Sequence, residues 1–543
     1  MCLAVSAFNW SMEARRERMI LQQQKREERA MESGMLNLQL DAEISTLDPQ
    51  AAVDSASFEV IACMMEGLYR TGEDGLAELA AAERAECSED GKRYRFLLKE
   101  AVWSDGRPVT AQDFVYGWQR GIAPENGNEN AFLFQTAGIR NAGAILSGKM
   151  HADQLGIRAV DERTLEVELE KPCPYFLSML SFPVFYPMNQ EFYEQFGDQF
   201  GTSPETLLAN GAFVMEAYQP SGQEIVLEKN SLYHEAEQVK LEGIHYQVVK
   251  DSQQAVMAYE TGLLDMALLS GEQAESYRQS PEFQSLPLGS LWYISPNQKV
   301  DGLENEHLRK AFFYACDKET AVSQVMKDGS RAAYGAVPWK SAYGPDGKDF
   351  REGAQCYGQM DKERARTELE QAKAELGRQE FIFSLLIEDT EAAGNLGQFL
   401  QEEIRSSLPG VEIRLEPVPK KIRLERMAQG DYELGLSRWG ADYSDPLAFL
   451  EMWTTDSPFN YGSWSDGEYD ALIASVKEEA LLLQPQKRWE VLHQGEALVM
   501  EHAVIFPICE KANGILLRSW VKGAQFHCSG VNRVWTRAVK ERK

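Results

Sequence analysis

The carboxylate with most to offer chemically is Asp442, in the run Trp439-Gly440-Ala441-Asp442-Tyr443. The next acid, Asp445, precedes Pro446 at a natural first helical position before LAFLEMW, so capping of that helix is accounted for without Asp442. Two readings of Asp442 stand: a turn former bonded to its own backbone, or a half-buried anion placed to meet a cation. A second patch, Leu291-Trp292-Tyr293-Ile294-Ser295-Pro296-Asn297, is an apolar aromatic run ending in turn formers. Trp292 and Tyr293 could offer flat walls to a solute or could serve as sheet core.

Spacing excludes most catalytic chemistry. The seven histidines never fall in HxH or HExxH order, so a zinc hydrolase site has no support. Gly435-Leu436-Ser437-Arg438-Trp439-Gly440 is one residue too long for a nucleophile elbow. Gly143–Lys149 (GAILSGK) matches most of a phosphate-binding loop. Met150, however, stands where a magnesium-holding hydroxyl is needed, and no strand precedes the run. Acidic residues are too plentiful to single out a pair for glycoside hydrolysis. The eight cysteines contain no CxxC pair and read as ordinary thiols. The expectation is no catalysis, no metal and no cofactor.

Periodicity outlines the framework around Asp442. Asp361–Leu376 reads as an amphipathic helix stopped by Gly377, Phe381–Ile387 as an apolar strand and Ala392–Ser406 as a helix. Val411–Leu415 reads as a strand, Lys420–Gln429 as a helix and Tyr432–Ser437 as a strand. Strand and helix alternating at this spacing imply a parallel sheet with covered faces. In such sheets ligands sit outside the carboxyl ends of strands, where WGADY lies. Upstream, Leu36–Leu40, Arg93–Leu98, Thr164–Leu169, Glu224–Glu228 and Ile244–Val249 are strand-like. A helix is expected from about Ala56 to Tyr69. Another is expected at DFVYGWQR (113–120), with Thr110 as N-cap and Asp113 at N3.

The chain has 543 residues, 84 acidic and 55 basic, a formal charge of −29. That length implies several domains, since one core rarely serves more than about 250–300 residues. Such a surplus works against nucleic acid as a partner, because phosphate binding needs clustered Lys and Arg. Adsorption to an anionic membrane is disfavoured for the same reason. No stretch reaches the roughly 18–20 apolar residues that span a bilayer. The start, Met1–Phe8, is apolar and then small, like the tail of an export signal without its positive region and most of its apolar region. Residues 10–33 read as a solvated helix or tail.

The motifs STLDP (45–49), EGLYR (66–70), WSDGRPVTAQDFVYGWQR (103–120), LGIRAVDERTLEVELEKPCPYF (155–176), NGAF (210–213), LEKNSLYH (227–234) and WGADYSDPLAFL (439–450) occur in one order. Together they resemble the extracytoplasmic oligopeptide-binding proteins of ABC importers. The resemblance implies an α/β, periplasmic-binding-protein-like fold of two lobes with an extra inserted domain. Lobe I would take residues 36–66, 190–288 and 510–543, the extra domain 67–189 and lobe II 289–509, after an N-terminal tail of 1–35. It also implies a monomer outside the cytoplasm that captures an extended oligopeptide and delivers it to a membrane permease. A same-fold receptor for a nickel complex or an oligosaccharide is the alternative.

Carried over by that resemblance, Asp442 would pair with the ligand's α-ammonium. Arg438, Gly440 and Ala441 belong to the backbone that the peptide joins as an added strand, and Trp439 and Tyr443 would wall side-chain pockets. Val53 and Ser55, after LDP, would supply the opposite strand. Three departures stand out. A Cys found in some relatives' motif is Gly440 here, and an Arg that some use for the ligand carboxylate falls on Leu436. Lipid anchoring through a lipobox Cys finds Phe8 after Val5-Ser6-Ala7, with Cys2 too early.

Overall fold

Two long strands organise the molecule. In the computed structural model, which describes residues 34–218, 222–441 and 443–541, Phe283–Pro296 and Phe506–Leu517 pair antiparallel at the centre of an 11-stranded mixed sheet. One end of this ribbon extends through Met266–Leu268, Met35–Leu40, Gly243–Val248, Glu224–Lys229 and Phe213–Tyr218. The other extends through Leu434–Gly440, Phe381–Glu388 and Val411–Val418. The register shifts between Pro287 and Ser290. There Gly289 has φ +58°, and a Cβ would come within 2.6 Å of the Cys528 carbonyl oxygen. Only glycine fits this bulge, which lies between the two halves of the sheet.

The strand and helix alternation of 361–440 is present. Asp361 caps Lys362–Leu376 by accepting from the Arg364 N–H at 2.9 Å, and Gly377 ends that helix in the left-handed region. Phe381–Glu388 runs parallel to Val411–Val418 over eight residue pairs and to Leu434–Gly435 over two. The sheet is not parallel throughout, because Leu434–Gly440 lies antiparallel to Phe283–Pro296. A strand that arrives from across the molecule is free of the crossover rule that keeps βαβ neighbours parallel.

Residues 82–168 build a separate four-stranded antiparallel sheet, in the order Ala82–Cys87, Arg93–Leu98, Thr164–Glu168, Ile157–Ala159. The helix Ala111–Ile122 packs on it with Phe114 and Trp118 fully buried. Asp113 accepts from the Thr110 N–H at 2.8 Å and from Trp103 Nε1–H at 3.2 Å. The long WSDGRPVTAQDFVYGWQR motif therefore encodes a capped, aromatic-rich core.

The helix expected over 56–69 stops at Met64. Asn210 explains this: its Oδ1 accepts from the Glu66 N–H at 3.1 Å and its Nδ2 donates to the Glu66 carbonyl at 3.0 Å. The buried peptide groups of residue 66 are thus satisfied outside a helix. Tyr233 Oη donates to Glu66 Oε2 at 2.7 Å, and Asn230 Nδ2 donates to the Gly211 carbonyl at 2.9 Å. EGLYR, NGAF and LEKNSLYH, far apart in sequence, thus clasp one another. Trp292 and Tyr293 are 6% and 1% exposed within the Phe283–Pro296 strand, which settles that patch as sheet core.

Candidate functional site

The strand Leu434–Gly440 has one satisfied edge and one open one. Against Phe283–Pro296 it pairs along its whole length, with Arg438 opposite Trp292, Trp439 opposite Leu291 and Gly440 opposite Ser290. On the other side only Leu434 and Gly435 are paired, to Leu385 and Leu386. Phe381–Glu388 stays with Val411–Val418 and parts from its other neighbour there. Among the described residues, Leu436–Gly440 therefore has no strand partner along one edge. Five residues at about 3.3 Å each leave roughly 13 Å of backbone between the first and last Cα available to an added strand. At Gly440 a Cβ would meet nothing closer than 3.7 Å, so packing does not demand glycine there.

The side chains at the end of this strand are fixed by the segment 443–459. Trp439 Nε1 donates to the Ala448 carbonyl at 2.9 Å, and its ring lies 4.8 Å from that of Phe459. Ala441 is half-buried. Tyr443 is buried, donates to Glu451 Oε1 at 3.1 Å and stacks on Tyr175, with centroids 4.4 Å apart and planes at 28°. Burial, with Tyr175 and Glu451 beside it, holds the Tyr443 phenol well above its ordinary range, so it remains a donor. Asp442 lies outside the described residues.

Asp445 is fully used by the scaffold. Its carboxylate accepts from Arg488 Nη1 at 2.7 Å and Nη2 at 2.9 Å, and from the Leu447 N–H at 2.9 Å. Both partners are buried, and a bidentate pair of this kind fixes geometry as well as charge. It anchors the chain two residues beyond Tyr443.

The opposite end of the open edge carries excess positive charge. Glu388, buried at the end of its strand, accepts from Arg423 Nη2 at 3.1 Å. Arg438 Nη2 lies 3.4 Å from its other oxygen. Arg423 is buried and also donates to Ser437 Oγ at 3.0 Å. Two guanidiniums on one carboxylate leave one net positive charge, and Arg438, with 39% of its side chain exposed, presents it. Leu436 is buried and offers no charge.

A family model described as bacterial extracellular solute-binding proteins, family 5 Middle, matches residues 77–461, well over half of the chain. The chain belongs to the family 5 bacterial extracellular solute-binding proteins. The dipeptide-binding protein of Lactococcus lactis subsp. cremoris is 31% identical over 516 residues, covering 91% of this chain and 92% of that protein. Listeria monocytogenes OppA bound to peptide is 31% identical, with a TM-score of 0.68 over 94% of this chain and 100% of that one. MppA in its unliganded open form is 24% identical, with a TM-score of 0.83 over 94% and 98%, a likeness of fold.

In this family 5 chain the structure brings Arg438, Trp439, Gly440, Ala441 and Tyr443 together along one strand and the turn after it. Val53 and Ser55 stand apart. Neither lies in a strand, Val53 is 45% exposed, and Ser55 Oγ donates to Asn532 Oδ1 at 3.4 Å. No hydrogen bond or ring contact joins them to 438–443 among the described residues. Asp54 between them caps the helix Ser55–Met64 by accepting from the Ser57 N–H at 2.8 Å.

Sequence reasoning missed Tyr175, Glu388, Arg423 and Arg488. Glu388 left a usable signal, an acid closing an otherwise apolar strand, FIFSLLIE, at its carboxyl end. Tyr175 sits in PCPYF, stiffened by two prolines, but nothing local says that its ring reaches across to Tyr443. Among the described residues no group of three or more His, Cys, Asp or Glu side chains is arranged to hold a metal ion.

Proposed function

We propose that this chain is the peptide receptor of an ABC importer, binding extended oligopeptides and handing them unchanged to a membrane permease. The observation that carries this is the open edge of Leu436–Gly440 leading into the WGADY motif, in a family whose relatives include dipeptide- and oligopeptide-binding proteins. A peptide laid on that edge gains main-chain hydrogen bonds that do not read its side chains. Asp442 takes the α-ammonium, Trp439 and Tyr443 wall the flanking side chains, and the charge on Arg438 faces an acidic group of the ligand.

The ribbon bulged at Gly289 acts as the hinge, and Val53 and Ser55 come into reach when the lobes close. The protein works outside the cytoplasm as a monomer and makes and breaks no bond in its ligand.

The test is calorimetric titration of ligand-stripped protein with a tri- to pentapeptide pool, a nickel salt and an oligosaccharide mixture, with mass spectrometry of the peptides after hours of incubation. Binding of intact peptides alone is expected. Binding of nickel or sugar in their place, or cleavage of the peptides, overturns the reading.

A further inference from the structure

The segment 69–186 is held to its two flanks in different ways. Towards residues 48–52 and 209 its contacts are buried hydrogen bonds. Arg120 pairs with Asp48, each with 11% of its side chain exposed. Gln50 Nε2 donates to the Tyr186 carbonyl at 3.0 Å, Asn130 Nδ2 to the Ala52 carbonyl at 2.9 Å, and the Ser104 N–H to the Ala209 carbonyl at 2.7 Å. Breaking such bonds strands buried polar groups, so this segment and those residues move as one body.

Against residues 343–483 the same segment has only small contacts. The turn that joins Ala82–Cys87 to Arg93–Leu98 lays Gly91 on Leu483: a Cβ on Gly91 would stand 3.0 Å from Leu483 Cδ2. Beside it Lys92 Nζ donates to Glu479 Oε2 at 3.1 Å, with 29% and 51% of the two side chains exposed. Gly75 backs onto the Tyr343 ring, and Tyr175 stacks on Tyr443. Among the described residues Lys92–Glu479 is the one ion pair on this flank, and no backbone hydrogen bond crosses it. A flank of one exposed pair and a few packed faces parts readily.

We propose that this flank is a latch: the inserted segment, carried on lobe I, holds lobe II in the arrangement before closure, so that Lys92 and Glu479 weaken peptide affinity without touching peptide. This rests on the peptide-receptor and hinge reading above. The latch is made while Val53 and Ser55 stand apart from 438–443. Rotation about the Gly289 bulge that brings them together carries 443–483 past the body that holds Gly91 and Lys92, so the contact has to part. Whatever stabilises the arrangement before closure raises Kd by one factor, whichever peptide is bound. An exposed ion pair corresponds to about 1.4- to 5-fold in that factor, and reversing one charge, which turns attraction into repulsion, to about 2- to 25-fold.

The test titrates tetra-alanine and tetraglycine into the ligand-stripped full chain, into Lys92→Glu, into Glu479→Lys and into the double variant K92E/E479K. Each single variant is expected to bind both peptides at least threefold more tightly than wild type, by the same factor for each peptide. The charge swap should restore wild-type affinity to within about 1.5-fold. The two single changes shift net charge in opposite directions, so a common tightening is not an effect of overall charge, and a merely destabilised protein would bind less tightly. Changes below threefold, weaker binding, tightening of one peptide alone, or a swap that stays as tight as the singles overturns the latch and leaves the receptor reading standing. Failure of both peptides to bind any of the four proteins overturns the receptor reading and the latch with it.

Discussion

The Asp445–Arg488 pair is the support on which the WGADY turn rests, and its removal has a signed consequence. Asp445→Asn keeps an oxygen for the Leu447 N–H but leaves the buried guanidinium of Arg488 without its counter-charge. Breaking a buried pair from one side costs about 3–5 kcal/mol. The retained oxygen places this variant at the low end, about 3 kcal/mol. At about 2–4 °C per kcal/mol for a unit of 150–250 residues, the transition of this lobe should fall by roughly 6–12 °C. Arg488→Met should cost a similar amount by stranding the carboxylate. The double variant Asp445→Asn with Arg488→Met buries no charge, keeps an oxygen for the Leu447 N–H and should lie much closer to wild type than either single variant. Scanning calorimetry of the four proteins reads the cycle. Small, additive effects from the single changes would refute the claim that this pair is buried and holds the turn.

Other outcomes rest on the same physics. Glu388→Gln strands the buried Arg423 and should cost about 2–4 kcal/mol in urea unfolding, whereas Arg438→Gln, half-exposed, should cost under about 1 kcal/mol. Equal costs would contradict the assignment of Arg438 as the outward-facing charge. Asn210→Ala leaves the buried N–H and C=O of Glu66 unpaired and should destabilise by about 2–4 kcal/mol, which thermal unfolding would read. Burial, with Lys340 nearby, lowers the His527 pKa to about 4 in the folded state, against about 6.5 unfolded. The unfolded chain then binds the extra proton first, so stability present above pH 6.5 is lost as pH falls towards 4, by about 3 kcal/mol. His527→Gln should flatten the difference in unfolding midpoint between pH 7 and pH 4.5, and an unchanged difference would place its cause elsewhere.

What could be read from the sequence was local. The cap at Asp361, the stop at Gly377 and the alternation through Ser437 each depend on neighbours within a turn or a strand, and the pattern carries that information. The true extent of the helix after Asp54 depended on Asn210, nearly 150 positions away, which no periodicity encodes. Direction of pairing behaved the same way: alternation correctly implied a parallel core, but the antiparallel partner of Leu434–Gly440 comes from residues 283–296. At the site, WGADY stood out because its composition was odd for a turn already supplied with Asp445. The partners that shape it, Tyr175, Glu388, Arg423 and Arg488, are ordinary residues in ordinary elements, made relevant only by packing.

The proposed anchoring of the peptide at Asp442 turns on recognition of a free peptide amine. Calorimetric titration of ligand-stripped protein with tri- to pentapeptides decides it, run beside the same peptides N-acetylated and beside an Asp442→Asn variant. Acetylation and the substitution should each weaken binding by about 2–5 kcal/mol, roughly 30- to 5,000-fold, and the two losses should not add, since both remove one ion pair. Equal affinity for free and acetylated peptides, or an Asp442→Asn variant that binds as wild type does, would contradict it.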